Sequence, residues 1–169
     1  LAGHLALGKL IVLYDDNGIT IDGKTEVSFS EDVAKRFEAY GWLTLSVKDG
    51  NNLDEIESAL KKATAQSSRP VLISVKTHIG YGSPNFQDTS KVHGSPLGAA
   101  EIRLTKKAYQ WPEDAQFFVP ERVAARRLER SQENEQKYLE WLKGFEKYRA
   151  EYPDLAAEIT RRMDSQLPL

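Results

Sequence analysis

KLIVLYDDNGITIDG, residues 9–23, is an apolar run that stops abruptly at Asp15, Asp16 and Asn17. Leu10 to Tyr14 are apolar at every position and partly β-branched, the pattern of a strand covered on both faces in a parallel sheet. Parallel sheets bind ligands beyond the carboxyl ends of their strands, and the Asp-Asp-Asn cluster sits at that end. Oxygen side chains there can coordinate a hard cation such as Mg²⁺ or Ca²⁺, with carbonyls of the following turn as further ligands. The same three residues can equally do no more than close the strand in an Asx-turn, and spacing alone favours that second reading.

Upstream, LAGHLALG (1–8) places Leu1 and Leu5 on helical spacing and reads as a helix C-terminus stopped at Gly8. A chain that opens in mid-pattern without Met is expected to be a piece of something longer. Downstream, Ser30 is the expected N-cap of a helix with Glu31 and Asp32 in its first turn and Val33, Phe37 and Tyr40 on one face, ending at Gly41. A strand Leu43–Val47 follows. Asn52 or Asp54 then caps an amphipathic helix to about Ala65, with Leu53, Ile56, Leu60 and Ala63 inward, and Ser67, Ser68 and Pro70 lead to a strand Val71–Val75. Strand, helix, strand, helix, strand predicts a doubly wound α/β unit with right-handed crossovers.

Residues 76–98 hold Gly80, Gly82, Gly94, Gly98 and two prolines with little periodicity, which predicts a long functional loop. Helical pattern returns at Ala99–Tyr109, breaks at Trp111-Pro112, and resumes with Pro120 at the first helical position. Glu121 to Met163 is charged and helical with a break at Tyr152-Pro153. The stripe Tyr138, Trp141, Phe145, Tyr148 is expected to pack against the body of the protein, and the Arg and Glu runs between 124 and 136 to form a solvated face. The predicted fold class is therefore α/β, a parallel sheet with flanking helices over 1–110, followed by a helical C-terminal extension over 111–169.

Within the long loop, Gly80, Gly82 and Ser83 follow a strand and would let backbone amides approach an anion closely. His93, beside Gly94, has the residue type of a general acid/base or of a hydrogen-bond donor to an anionic or hydroxylated ligand, although a loop histidine can also be merely exposed. His4 and His78 have no partner that the sequence reveals, and a structural role is the expectation for both.

At 169 residues the chain fits one domain, since these commonly run from about 100 to 200 residues. Its 40% hydrophobic and 28% charged residues argue against wholesale disorder. A formal charge of -2 gives no field that would attract nucleic acid or an anionic membrane. The longest apolar run, Leu10 to Tyr14, falls far short of the roughly 20 residues of a membrane helix. With no Cys there are no disulfides or thiolate sites, and the cytoplasm is the default expectation.

Four segments taken in order carry a resemblance: LAGHLALGKLIVLYDDNGITIDG (1–23), EDVAKRFEAYGW (31–42), KTHIGYGSPN (76–85) and HGSPLGAAEI (93–102). Together they resemble transketolase, over the latter part of its diphosphate-binding (PP) domain. RRMDSQLP (161–168) resembles the tail leading to the pyrimidine-binding domain. The resemblance implies a partial thiamine-diphosphate-binding fold and transfer of a two-carbon ketol unit from a ketose phosphate to an aldose phosphate. It implies thiamine diphosphate and a divalent cation, Mg²⁺ or Ca²⁺, as cofactors. Asn17 matches the asparagine whose side-chain oxygen binds the metal, and Ile19 the residue whose carbonyl is another ligand. Ile21 and Ile79 match apolar residues lining the cofactor cleft, with Gly80 beside the latter. His93 matches the HG-x-PL histidine that reaches the diphosphate and lines the sugar's route, so it is the implied catalytic residue. Sugar phosphates and a homodimer partner, which supplies the pyrimidine-binding domain, are the implied partners. The implied setting is the pentose phosphate pathway in the cytoplasm, or the Calvin cycle in a plant plastid.

Some features depart from the family pattern. The family's G-D-G, whose Asp is a metal ligand, does not precede Asn17 here, and the glutamate that activates the aminopyrimidine and the phosphate-binding Arg and Ser residues belong to the pyrimidine-binding domain. Arg126 and Arg161 do not match those positions. Phe86 and Asp88 stand where the family usually carries Lys and Gly, and His78 where it carries a small or β-branched residue. A dihydroxyacetone synthase fits the motifs nearly as well, whereas deoxyxylulose-phosphate synthase lacks the HG-x-PLG arrangement of His93 to Gly98. A non-catalytic half that contributes only to cofactor binding is the alternative from a different class.

Overall fold

The structure, a computed structural model, describes residues 1–167; Pro168 and Leu169, which end the expected C-terminal extension, lie outside the described residues. Three parallel strands, β1 (Ile11–Asp16), β2 (Leu43–Val47) and β3 (Val71–Lys76), form a sheet in the order β1-β3-β2. Helix α1 (Val33–Ala39) follows β1 and helix α2 (Leu53–Thr64) follows β2. The predicted α/β alternation is thus what the chain builds.

β3 occupies the middle, and its Val71, Leu72, Ile73 and Val75 are buried. Alternate side chains of a strand share a face. Val71, Ile73 and Val75 accordingly join Val47 and the α2 residues Ala59 and Ala63 in the core, with Ile11, Leu43, Leu45 and Ile56 packed against it. The two-sided burial expected of Leu10–Tyr14 belongs instead to β3. β1 has one neighbouring strand, α1 packs on β2 and β3, and α2 lies against β2, so Leu13 is left 55% exposed.

The helix starts correct two further expectations. Asp32, not Ser30, caps α1, its carboxylate accepting from the Lys35 amide at 3.0 Å. Asn52 caps α2, accepting from the amides of Asp54 (3.1 Å) and Glu55 (3.2 Å). Leu53 and Leu60 are 77% and 36% exposed rather than inward, because the helix buries the row Ile56, Ala59, Ala63, whose spacing of three and four shares one face. Residues 1–8 make hydrogen-bonded turns, Leu5 N to Leu1 O at 2.9 Å and Leu7 N to Ala2 O at 3.1 Å, rather than a regular helix. Gly8 is required there by close approach, since a Cβ would lie 1.7 Å from the Ser67 carbonyl oxygen.

After β3 the loop runs through a short 3-10 turn at Ser90–Val92 to helix α3 (Ala99–Ala108). Glu101 of α3 is 6% exposed and forms no ion pair among the described residues; instead its carboxylate accepts from the Ser83 hydroxyl, from the Asn85 amide at 3.0 Å and from Asn85 Nδ2 at 2.9 Å. The Asn85 and Ser83 hydrogen bonds hold the Glu101 carboxyl below the ordinary carboxylate value. The Tyr109 hydroxyl donates to the Tyr81 carbonyl, a second tie between this loop and the end of α3.

The chain divides into two compact units, the first Leu1–Asp114 and the second beginning at Ala115. The second carries α4 (Glu121–Glu151) and α5 (Pro153–Met163), separated at Tyr152 because Pro153 has no amide to continue the first helix. Pro120 is the residue before α4 rather than its first helical residue. Along α4 the aromatic stripe stacks on itself, with ring centroids 6.1 Å apart for Tyr138–Trp141 and 5.2 Å for Trp141–Phe145. Arg126–Glu129 and Arg130–Glu133 form exposed ion pairs at 2.8 and 2.7 Å, the solvated face that was expected. No helix among the described residues is long and apolar enough to cross a membrane.

Truncating the central strand by Ile73→Ala is expected to lower stability by about 2–5 kcal/mol, read by chemical denaturation. Glu101→Gln is expected to lower Tm, because an amide NH₂ would face groups that already donate. The pH dependence has a defined sign. With its folded value lowered, Glu101 contributes fully above the ordinary carboxylate range, and that contribution is lost as pH falls through the lowered value. Melts across pH should therefore show a smaller acid loss in the Gln variant than in the parent.

Candidate functional site

β1 and β3 pair in register from Ile11↔Val71 to Asp16↔Lys76, so the two strands end level with each other. Asp15 accepts from the Thr77 hydroxyl, and the Asp16 carbonyl from the Thr77 amide at 3.3 Å, which extends the pairing one residue past the ladder. Burial, with Asp16 and Asp15 nearby, pushes the Tyr14 phenol above its ordinary value. The two aspartates thus serve the strand end.

Asn17 begins the turn beyond it. Its Oδ1 accepts from the Ile19 amide at 2.9 Å, the Asx-turn that the sequence allowed. Gly18 takes φ +73, the left-handed region that glycine occupies without steric cost. The turn is then fixed by Thr25 N to Gly18 O (2.9 Å), Thr20 N to Gly23 O (2.6 Å) and an antiparallel bridge of Ile19 with Lys24. Among the described residues nothing donates to the Ile19 carbonyl. Ile21, at the tip of this turn, is 67% exposed.

A cavity of about 400 Å³ opens at this end of the sheet, lined among others by Asn17, Ile19, Lys24, Lys76, Thr77 and His78. Two lysines therefore border one space with several oxygen-bearing residues, and Lys24 Nζ lies 3.7 Å from Glu26 Oε1. Glu26 and Asp88 also border it, and His78 Nδ1 lies 2.8 Å from Asp88 Oδ2.

Ile79 and Gly80 follow His78 in the loop that leaves β3, and neither is among the residues lining the cavity. Gly80 has φ +63, and a Cβ there would meet Val92 at 3.1 Å, so the start of the loop packs on the residue preceding His93. His93 itself is exposed, with its amide donating to the Ser90 carbonyl at 3.1 Å, and it is not among the residues lining the cavity. The anion nest expected at Gly80, Gly82 and Ser83 is partly spent internally. The Gly82 amide donates to Gln87 Oε1 at 2.8 Å and the Ser83 amide to the Gly80 carbonyl at 2.9 Å.

Lys24, Lys76, Thr77 and the His78–Asp88 pair escaped the sequence reading. Lys76 and Thr77 were legible only as the residues that end β3, and the departures at 78 and 88 were the one signal for the pair. No group of three or more His, Cys, Asp or Glu among the described residues could hold a metal ion by itself. What the chain offers is the Asn17 amide oxygen and the Ile19 carbonyl, neutral hard donors of the type that Mg²⁺ and Ca²⁺ take. Two such donors alone would leave a divalent cation short of ligands, and a diphosphate, for which Lys24 and Lys76 border the same cavity, would supply part of the remainder. The residues present therefore fit a metal–diphosphate group.

The family model described as transketolase, thiamine diphosphate binding domain, matches residues 1–168. The chain is 53% identical over 169 residues to the transketolase of Geobacillus stearothermophilus, covering 99% of this chain and 25% of that protein. The chloroplastic transketolase of Zea mays is 47% identical over 169 residues, again across 99% of this chain and 25% of the relative. Among solved structures, Pichia stipitis transketolase in complex with sedoheptulose 7-phosphate superposes with a TM-score of 0.87 at 41% identity, over 99% of this chain and 25% of that one. Leishmania mexicana transketolase gives 0.88 at 36% identity, with the same shares covered. The chain thus spans about a quarter of the length of the relatives it matches. An oxygen-lined cavity beyond the level ends of parallel strands, in a sequence matched almost throughout, makes this chain a member of the transketolase family, within its thiamine diphosphate binding domain.

Proposed function

We propose that this chain is part of a transketolase, transferring a two-carbon ketol unit from a ketose phosphate to an aldose phosphate with thiamine diphosphate and Mg²⁺ or Ca²⁺. The observation that carries the reading is the Asn17–Ile19 turn. One hydrogen bond fixes an amide oxygen, and a carbonyl two residues on accepts nothing among the described residues, both at the rim of the cavity. In this reading Asn17 Oδ1 and the Ile19 carbonyl hold the cation, which neutralises the diphosphate together with Lys24 and Lys76. Ile21 and Ile79 give the cofactor apolar cover, and Gly80 lets the backbone come close. Bound thiamine diphosphate supplies the carbanion chemistry, while the protein binds and orients. His93 holds a proton at its imidazole for the sugar hydroxyls and reaches toward the diphosphate.

Sugar phosphates as substrates are supported by relatives: Pichia stipitis transketolase structures are described with sedoheptulose 7-phosphate and, in an R356L variant, with fructose 6-phosphate. A homodimer partner contributes the pyrimidine-binding domain, in a cytoplasmic enzyme or, in a plant, a plastid one.

In the whole protein, Asn17→Ala is expected to weaken thiamine diphosphate–Mg²⁺ binding by about 10- to 100-fold by calorimetry, the scale on which groups around a metal act. Asn17→Asp keeps an oxygen for both the Ile19 amide and the cation, so it should retain binding that Asn17→Ala loses. Unchanged affinity in both variants removes the metal assignment. His93→Ala is expected to lower turnover of xylulose 5-phosphate with ribose 5-phosphate by about 10²- to 10⁴-fold at an unaltered Tm. Untouched turnover would leave His93 a loop residue only.

A further inference from the structure

His78 Nδ1 lies 3.0 and 2.8 Å from the two carboxylate oxygens of Asp88, and both residues border the cavity that Asn17 and Ile19 line. Asp88 has φ +58, the left-handed region in which a Cβ crowds the backbone. Something must hold it there. Its amide donates to the Ile79 carbonyl at 3.0 Å, and its carboxylate meets the His78 ring. The loop between 78 and 88 is therefore closed at its neck twice, once through backbone and once through side chains. Inside the loop, Gln87 accepts from the Gly82 amide at 2.8 Å, and Phe86 lies under the Lys91 ammonium at 5.4 Å.

We propose that His78 and Asp88, which themselves line the cavity, form a positioning clamp that presets the loop between them before ligand arrives; this rests on reading that cavity as the cofactor site. Both residues depart from the pattern of the resembled family, and the departures are complementary. A glycine would take φ +58 freely, whereas Asp88 brings a carboxylate that His78 Nδ1 meets at 2.8 Å. A small or β-branched residue at 78 could not. The pair thus replaces backbone permissiveness by a side-chain tie, and neither substitution is explained without the other.

The test is a double-mutant cycle in the whole dimeric protein, with His78→Val, Asp88→Gly and their combination, reading thiamine diphosphate affinity in the presence of Mg²⁺. Affinity scales with the fraction of molecules whose loop is already in place, so each single change is expected to weaken it by about 3- to 10-fold. Turnover at saturating cofactor should fall by less than the affinity does. The double variant should lose no more than the worse single variant, since the second change removes a tie that is already broken. His78→Asn keeps a donor for Asp88 and should stay close to the parent. Losses that simply add, or affinities unchanged throughout, overturn the clamp. Should the parent itself fail to bind thiamine diphosphate, the functional reading falls instead. Hydrogen exchange of the Asp88 amide in the ligand-free protein still decides the clamp: faster exchange in His78→Val supports it, and equal exchange overturns it.

Discussion

Paired backbone from Ile11↔Val71 to Asp16↔Lys76 fixes where two strands end, and the site depends on those ends being level. A slip of one residue would turn every side chain of β1 to the opposite face and displace Asn17 by a full residue rise. The slip is opposed from both sides. Val71, Leu72 and Ile73 are buried on the central strand, and Asp15 reaches across to Thr77 just past the ladder. The apolar core that stabilises the sheet thus also sets the position of polar groups that contribute nothing to it.

How much of this was legible in the sequence follows from how local each feature is. The strand Leu43–Val47 and the helix break at Tyr152-Pro153 depend on short-range pattern and on a missing amide, and both were readable. Asp32 and Ser30 are equally good caps by residue type, and only the extended backbone at Asp32 decides between them. The apolar runs of β1 and β3 look alike, but burial follows strand order, which no short window encodes. Asn17 stood out because it comes directly after a strand, whereas Ile19 was singled out only by the family resemblance. Thr77 finds Asp15 across 62 positions of sequence and His78 finds Asp88 across 10, separations at which side-chain pairing has no periodic signature.

The loop after β3 shows how a segment without regular structure can still hold a defined shape. Ordering each residue costs conformational entropy, on the order of 1–2 kcal/mol for the backbone alone. Glu101 offsets part of that cost by gathering three donors from Ser83 and Asn85 onto one buried carboxylate. A carboxylate without a cation is tolerable in such a place only because hydrogen bonds replace the water it gave up. Gly80 against Val92 then brings the two halves of the loop together, while His93, the next residue, stays exposed.

Spacing offered two meanings for Asn17, turn-former or cation ligand, and the geometry makes them compatible. An amide oxygen has two lone pairs; the Ile19 amide engages one, and that bond orients the other. Because the same turn is closed by Thr25–Gly18 and Thr20–Gly23, the Ile19 carbonyl is held without accepting a bond from the chain. A donor pair built this way needs little reorganisation to take a cation, which is where preorganised sites gain affinity. Both donors are neutral, however, so the pair does little to offset the charge of a divalent ion. In the proposed site that charge is met by the diphosphate, whose own excess charge faces Lys24 and Lys76. In that proposed site, cation and diphosphate would each lower the cost of binding the other, with the turn at Asn17 as the fixed point about which both would assemble.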